Sequence, residues 1–96
     1  MTVITLTRFT ADSAAQAELL VRHAALVSVT RSAGHGPTET RLGRLDERTW
    51  LAIWRWDSAE QLAAARGIAP GRPESAAAFA LAEDVTVEQI EVVDEQ

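Results

Sequence analysis

Four segments of the chain are rich in β-branched and aromatic residues, the first of them with β-branched and polar residues in alternation, and Ala-rich stretches with helical spacing lie between them. Such segments are typical of strands. They predict four strands, over residues 2–10, 38–45, 49–56 and 85–93. The intervening stretches predict two main helices and a third short helical piece, over residues 14–32, 59–66 and 74–82. The predicted order is therefore strand, helix, strand, strand, helix, strand.

Local capping and turn signals support these boundaries. The segment Asp-Ser-Ala-x-Gln occurs at residues 12–16 and again at 57–61, each time just before a predicted helix. Its serine and glutamine have the spacing of a capping box, and its recurrence agrees with two strand–helix–strand halves. Glycine and proline over residues 33–37 end the first helix, and a short turn at 46–47 makes the second and third strands a hairpin.

This element order predicts an α+β fold of the ferredoxin-like βαββαβ type, with an antiparallel sheet and helices on one face. The 96 residues form a single domain, residues 1–96. Both faces of the third strand are rich in apolar residues: Trp50, Ala52, Trp54 and Trp56 on one, Leu51, Ile53 and Arg55 on the other. So short a chain has too few helices to cover two apolar faces, and we expect a homodimer that packs sheet against sheet.

The amino-acid composition excludes several classes of chemistry. The chain has no Cys, Lys, Tyr or Asn, which removes thiolate and Schiff-base nucleophiles, tyrosyl acid–base groups and an asparagine oxyanion donor. Its net charge is −5, and residues 83–96 carry six acids and no base, so we expect no nucleic-acid partner. No apolar stretch reaches the ~20 residues of a membrane helix, and no signal peptide opens the chain, so we expect no membrane partner and a cytoplasmic protein.

The segment from Trp50 to Leu62, a hydrophobic strand ending in Trp-Asp-Ser before an Ala-rich helix, resembles the antibiotic biosynthesis monooxygenase domain family of dimeric α+β barrel proteins. The opening strand with Thr7–Phe9, the glycine-containing link after the first helix and the Val-rich last strand extend the resemblance over nearly the whole chain. The resemblance implies a homodimer with one pocket per subunit, between the sheet and the helices. It also implies oxygenation of anthrone- or quinol-like aromatics without metal or flavin, or oxidative breakdown of haem.

The chain differs from the two sets of family members whose reactions are named above, the haem-degrading and the polyketide-type members. Haem-degrading members carry an Asn on the first strand, and a Trp and a His on the helix after the third strand. This chain has no Asn, and residues 59–69 contain neither Trp nor His, which argues against haem degradation. Polyketide-type members rely on Tyr, Asn, Trp and Arg, with a His in some. The family's catalytic set therefore cannot be carried over residue by residue.

His23 is the candidate catalytic base. It lies in the middle of an apolar stripe on the first helix, formed by Leu19, Leu20, Leu26 and Val27, so it is predicted to point toward the sheet. A neutral imidazole can accept a proton from a phenol or an activated carbon acid near neutral pH. The carbanion formed from that substrate can then pass an electron to O₂. The alternative is a core histidine whose partner is a backbone carbonyl or a water. His35, between two glycines, is expected to be an exposed connector, and two distant histidines predict no metal site.

Aromatic and basic residues supply the other candidates. Trp54, Trp56 and Trp50 would form an aromatic wall for a flat ligand, or would pack in the core or the dimer interface. The sequence does not say which sheet face meets the helices. Arg55 is a candidate catalytic residue that would hold an enolate or phenolate oxygen, and Arg8 a candidate substrate-binding residue; either could instead pair with a carboxylate. Arg66 and Arg72 flank a loop that would rim the pocket, or are solvated.

Through this resemblance, the sequence implies a cofactor-independent monooxygenase that acts on a quinol- or anthrone-like aromatic metabolite with O₂. It carries no glycine-rich phosphate loop, no metal-ligand constellation and no haem-ligand spacing, so no cofactor is expected. A dimeric binding module without catalysis would use the same pocket. A cyclase or lyase would turn over substrate without O₂, and a purely structural dimer would have a filled core.

Overall fold

The computed structural model of the protein describes residues 2–32, 34, 36–68 and 73–95. Its four strands are β1 (Val3–Thr10), β2 (Glu39–Arg44), β3 (Thr49–Trp56) and β4 (Glu83–Glu91). Its helices are α1 (Gln16–Ser32), which follows a single 3₁₀ turn at Ser13–Ala15, α2 (Ala59–Ile68) and α3 (Pro73–Phe79). No helix of the described residues is long and apolar enough to cross a membrane.

The four strands form one antiparallel sheet in the order β2-β3-β1-β4. The first strand lies in the middle, where Thr5 is opposite Trp54 on β3 and opposite Gln89 on β4. This order is that of the ferredoxin-like α+β fold, so the fold class predicted from the sequence is confirmed.

The tryptophan-rich face of β3 meets the helices, which answers the question that the alternating pattern left open. One buried cluster joins Val3 and Trp56 to Leu62 and Ala65 of α2. A second joins Phe9, Ala11 and Trp50 to Leu19 of α1. Each cluster is thus built around a tryptophan, Trp56 in the first and Trp50 in the second, and the burial of such large rings is strongly stabilising.

The opposite face of the sheet, which we call the outer face, carries Ile4, Leu6, Leu51 and Ile53, all half-buried. Ile90 of β4 is opposite Ile4 on this face and remains 44% exposed. The predicted division of β3 into two apolar sides is confirmed by this register. All three helices pack on the other side, so the outer face lacks a helical cover within the described residues. The homodimer that would bury it stays a prediction.

The first helix begins differently from the expected capping box. Asp12, rather than Ser13, caps it: Oδ1 of Asp12 accepts a hydrogen bond from the Ala14 amide at 3.0 Å. Both residues are good caps, and the extended backbone of Asp12 (ψ 136°) turns its own carboxylate toward the first amides. The side chain of Gln16 accepts from Arg44 instead, at 3.2 Å.

The second helix is capped as predicted, since Oγ of Ser58 accepts from the Gln61 amide at 3.1 Å. The Gln61 side chain, however, donates to the Gly36 carbonyl at 2.6 Å and so ties α2 to the link before β2. Glycine is required there, because a Cβ on Gly36 would collide with the backbone of Arg31. Gly34 ends α1 with φ 84°, as the sequence indicated.

Helix α3 is tied to α1 by one long-range hydrogen bond, from Nη1 of Arg22 to the Ala77 carbonyl at 2.8 Å. The helix starts at Pro73, where the missing amide costs no hydrogen bond. Residues 69–72 of the predicted loop lie outside the described residues. The last strand starts two residues earlier than expected, at Glu83, because Glu83 pairs with Thr10 of β1 beyond a register shift in the β1–β4 ladder.

Candidate functional site

A cavity of about 220 Å³ lies between the helix-facing side of the sheet and the three helices. The sheet contributes Thr5, Thr7, Trp54 and Trp56, and α1 contributes Leu19, His23, Leu26 and Thr30. Helices α2 and α3 close it with Leu62, Ala65, Arg66, Ala78 and Phe79. The lining is mainly apolar, with a few hydroxyl groups, one imidazole and one guanidinium, as is usual for small-molecule sites.

The burial of the lining residues shows which end of the cavity is closed. Trp56, Leu62 and Ala65 are buried and form its closed end, where α2 packs on β3. Phe79 is 48% exposed and Val87 is 54% exposed, and Arg66 beside them is also exposed. These three residues therefore form the mouth, between α2, α3 and β4.

His23 and Trp54 form the polar contact of the cavity. The indole Nε1–H of Trp54 donates to Nε2 of His23 at 3.0 Å, and the two rings meet edge-on with centroids 5.6 Å apart. Since Nε2 accepts this hydrogen bond, the neutral ring carries its proton on Nδ1. The structure places His23 over the sheet, as the leucine stripe predicted, but its partner is an indole rather than a backbone carbonyl.

Burial lowers the pKa of His23 below its ordinary value of 6.5. The hydrogen bond acts in the same direction, because a ring protonated on Nε2 could no longer accept the indole N–H. His23 is therefore neutral at pH 7 and offers a hydrogen-bond acceptor, not a positive charge, to the cavity.

Trp56 lies beside Trp54 at the closed end of the cavity, with ring centroids 5.9 Å apart and a tilt of 39°. Its Nε1–H donates to the hydroxyl of Thr5 at 3.1 Å, a fully buried hydrogen bond. This hydrogen bond fixes the second indole against the sheet, so the aromatic wall predicted from the sequence consists of Trp54 and Trp56.

Trp50 is not part of the cavity wall. It is only 3% exposed and packs in the cluster with Phe9 and Leu19, which matches the alternative of a core role. The guanidinium of Arg44 lies 5.7 Å from the centroid of its ring. The indole Nε1 of Trp50 is buried without a hydrogen-bond partner in the described part of the chain.

Arg55 and Arg8 project from the outer face, so the sheet separates them from the cavity. Arg55 is opposite Ile4, and its guanidinium donates to both carboxylate oxygens of Glu95 at 2.9 and 2.8 Å. This ion pair raises the pKa of Arg55 and matches the alternative of a carboxylate partner. Arg8 is opposite Leu51 and exposed. Neither residue can reach a ligand in the cavity of its own chain, and neither enters the site proposed below.

Sequence reasoning missed Thr5 and Phe79 as lining residues. Thr5 could have been found as the β1 residue that faces the helices opposite Trp54, but this requires the strand register. Phe79 carries no signal beyond its place in a short helix. Arg66 was expected either at the rim of the pocket or as a solvated side chain, and it lies exposed among the lining residues of the cavity. His35 and Arg72 lie outside the described residues.

No group of three or more His, Asp or Glu side chains that could hold a metal ion comes together among residues 2–32, 34, 36–68 and 73–95. A ligand in the cavity would contact the two indoles, His23, the threonine hydroxyls and the aliphatic side chains of the helices.

Several solved structures share this architecture over almost their full length. Rv0793 from Mycobacterium tuberculosis is 24% identical, with a TM-score of 0.70 over 99% of this chain and 98% of that one. A Caulobacter crescentus protein whose name assigns it to the antibiotic biosynthesis monooxygenases is 17% identical, with a TM-score of 0.72 over 97% and 91%. SnoaB from Streptomyces nogalater, a cofactor-independent oxygenase, is 18% identical, with a TM-score of 0.71 over 98% and 95%.

The chain has the fold of the antibiotic biosynthesis monooxygenases. The resemblance read from Trp50 to Leu62 is thereby confirmed for the architecture. No protein-family model and no curated protein sequence matches the chain.

Proposed function

We propose that the protein is a cofactor-independent monooxygenase that acts on a small hydroxylated aromatic of the quinol or anthrone type, with O₂ as the second substrate. The observation that carries the proposal is the Trp54–His23 hydrogen bond at an apolar cavity. The shared fold with SnoaB, a cofactor-independent oxygenase, supports the reaction class.

The Trp54–His23 pair is complementary to a hydroxyl group, which donates one hydrogen bond and accepts others. A substrate hydroxyl that separates the two rings donates to Nε2 of His23 and accepts from Nε1–H of Trp54. Both groups of the pair keep a partner, so the exchange costs little in hydrogen bonding. The aromatic body of the substrate then lies against Trp54 and Trp56, where offset rings pack favourably.

Proton transfer from this hydroxyl to His23 starts the reaction. The resulting oxyanion is held by the indole N–H and by the imidazolium, and both contacts are strengthened by the apolar lining of the cavity. The electron-rich anion gives one electron to O₂, and the two radicals combine at a ring carbon to form a peroxide anion, which takes the proton back from His23. The hydroperoxide then loses water: one CH₂ group of an anthrone and O₂ become one C=O group and one water, and a quinol and O₂ become a hydroxyquinone and one water, so no external reductant is consumed.

A second candidate is a binding module that holds the same aromatic ligand without turnover. It is favoured by the state of His23, whose Nε2 already accepts from Trp54 and whose pKa is lowered by burial. Both properties make the imidazole a weak base. This candidate requires ligand binding with no consumption of O₂, and Trp54 would matter more for it than His23.

We also propose that the functional unit is a homodimer formed by the outer face, because Leu6, Leu51 and Ile53 are only half-buried there. An apolar sheet face without helices is stable in water when a second copy covers it.

The deciding experiment is O₂ uptake by purified protein with a panel of anthrones and quinols, with chelator present and no flavin added. His23→Ala is compared with Ser28→Ala, an exposed position on the same helix, and with heat-killed protein. We expect uptake that is lost in His23→Ala and kept in Ser28→Ala. Uptake that is equal in both variants would remove His23 from the mechanism. Binding of the panel without uptake would support the binding module instead.

A further inference from the structure

Arg66 brings a permanent charge to the mouth of a cavity whose other described lining residues carry none. It lies near the end of α2, is exposed, and lines the cavity beside Phe79 and Val87. The other described lining residues are apolar, carry hydroxyl groups, or, for His23, are neutral at pH 7. Among the described residues, a ligand therefore meets one cation at the solvent end and a neutral surface deeper in the cavity.

The partner of this guanidinium is a neutral amide. Nη1 of Arg66 donates to Oε1 of Gln89 at 3.0 Å. The ion pairs within the described ranges join other arginines to carboxylates: Arg22 to Glu18, Arg41 to Glu39 and Arg55 to Glu95. The charge of Arg66 is thus not neutralised by a described carboxylate, and a guanidinium that gives one N–H to an amide keeps others for a ligand.

The hydrogen bond to Gln89 sets the position of the Arg66 guanidinium. Gln89 is opposite Thr5 in the β1–β4 register, and Thr5 lines the cavity. Its acidic neighbours along β4, Glu88 and Glu91, do not belong to the lining. The hydrogen bond from α2 to β4 therefore holds Arg66 across the open side of the cavity.

The size of the cavity limits the ligand. Its 220 Å³ lie below the roughly 300–1,000 Å³ of sites for drug-sized molecules. One aromatic ring or two fused rings fit this space better than the three fused rings of an anthrone, so of the two substrate types proposed above the cavity favours the smaller quinol.

We propose that the cavity takes a one- or two-ring hydroxyaromatic acid whose anionic group pairs with Arg66. The identity of the buried hydroxyl end rests on the function proposed above; the anionic end rests on Arg66 alone. A carboxylate at the mouth remains partly hydrated, so it avoids the cost of burying a charge, and the planar guanidinium can bind both of its oxygens. The rings meanwhile lie against Trp54 and Trp56.

The test is calorimetric titration at pH 7 with 6-hydroxy-2-naphthoate and its methyl ester, which share one aromatic body and differ in charge. We expect the acid to bind about tenfold more tightly than the ester, the effect of one charge-assisted hydrogen-bond pair. Arg66→Gln should remove this preference by weakening the acid alone, and Arg66→Lys should keep part of it. Arg48→Gln, at the exposed β2–β3 turn, makes the same change in net charge and should have no effect.

Equal affinity for acid and ester in the wild type, or no binding of either at millimolar concentration, would overturn the proposal. An equal loss for both ligands in Arg66→Gln would also overturn it, since the residue would then only shape the mouth. An acid preference that depends on Arg66 without O₂ uptake would keep this inference and reject the oxygenase. O₂ uptake with neutral quinols, together with equal affinity for acid and ester, would keep the oxygenase and reject this inference.

Discussion

The indole N–H of Trp54 donates to Nε2 of His23, a hydrogen bond of 3.0 Å between the middle of β3 and the middle of α1. It fixes the tautomer of the imidazole and joins the sheet to the helix that covers it. A ligand hydroxyl must compete with this contact, so the pair decides both what binds and whether His23 can act as a base.

Replacing Trp54 by Phe keeps an aromatic ring on β3 and removes the N–H donor together with the second ring of the indole. We expect the lost hydrogen bond to reduce the free energy of unfolding by about 1 kcal/mol, and the smaller ring to add to this loss. The pKa of His23 should rise, since the neutral ring loses its partner. Denaturant unfolding and an NMR titration of the His23 ring measure the two effects. A pKa of His23 that does not change would mean that the hydrogen bond is not formed in solution.

Stability should fall as the solution is made more acidic than about pH 6.5, because of His23. Burial lowers the pKa of the folded ring below 6.5, so the unfolded ring binds a proton first. The stability that neutral His23 contributes is therefore complete above the unfolded pKa and is lost as the pH falls through the folded pKa. Urea unfolding between pH 5 and 8 checks this. His23→Gln, which cannot titrate, should show a flatter profile over the same range.

Thr5→Val should be costly although the two side chains have nearly the same shape. It removes the acceptor of the buried Trp56 N–H, which then has no partner, a loss of about 1–3 kcal/mol in the free energy of unfolding. Thr7→Val is the matched control, since Thr7 faces the same cavity and makes no side-chain hydrogen bond within the described residues. Equal stability of the two variants would show that the Trp56 N–H finds another partner.

The start of α1 offers a test of which side chain is the cap. Asp12→Ala should cost about 1 kcal/mol in the free energy of unfolding, because it removes the acceptor of the Ala14 amide. Ser13→Ala should be close to neutral, since Ser13 lies within the first turn. If thermal unfolding showed Ser13→Ala to be the less stable of the two variants, the capping box expected from the sequence would be correct.

A charge on the outer face should prevent dimer formation. Ile53 lies there opposite Leu6, so a glutamate at this position would be buried without a partner in a sheet-to-sheet dimer. We expect light scattering to give a dimer for the wild type and a monomer for Ile53→Glu. Arg48→Glu, at the exposed turn, should remain a dimer. A wild type that is a stable monomer at micromolar concentration would rule out this assembly.

The element order could be predicted from the sequence because strand residues and helix residues follow different spacings. Side chains of a strand point to its two faces in turn, whereas the Ala-rich stretches between the strands have helical spacing. Both ends of β3 were predicted correctly, since charged turn residues flank its apolar run. The sequence predicted a capping box on Ser13 and Gln16, but Asp12 is an equally good cap and takes the position in the structure. The sequence also could not say which side of β3 meets the helices, because alternation gives two faces without saying which is covered.

The candidate site was predicted less completely than the fold. The stripe on α1 placed His23 over the sheet, but its indole partner lies on β3 and only the three-dimensional packing brings the two together. Arg55 was set apart from the tryptophans by alternation. Its carboxylate partner, Glu95, lies beyond the last strand, where no periodic pattern indicates a contact.

The hydrogen bond from Arg22 to the Ala77 carbonyl has a consequence for the dynamics of the cavity. Helix α3 has only seven residues, too few to persist in water by itself, so it depends on α1 for its order. Arg22 is next to His23, and α3 carries Phe79 at the mouth. Amides of α3 should therefore exchange with deuterium at the rate at which α1 releases them, and a ligand bound between Trp54 and His23 should slow that exchange at the far side of the cavity.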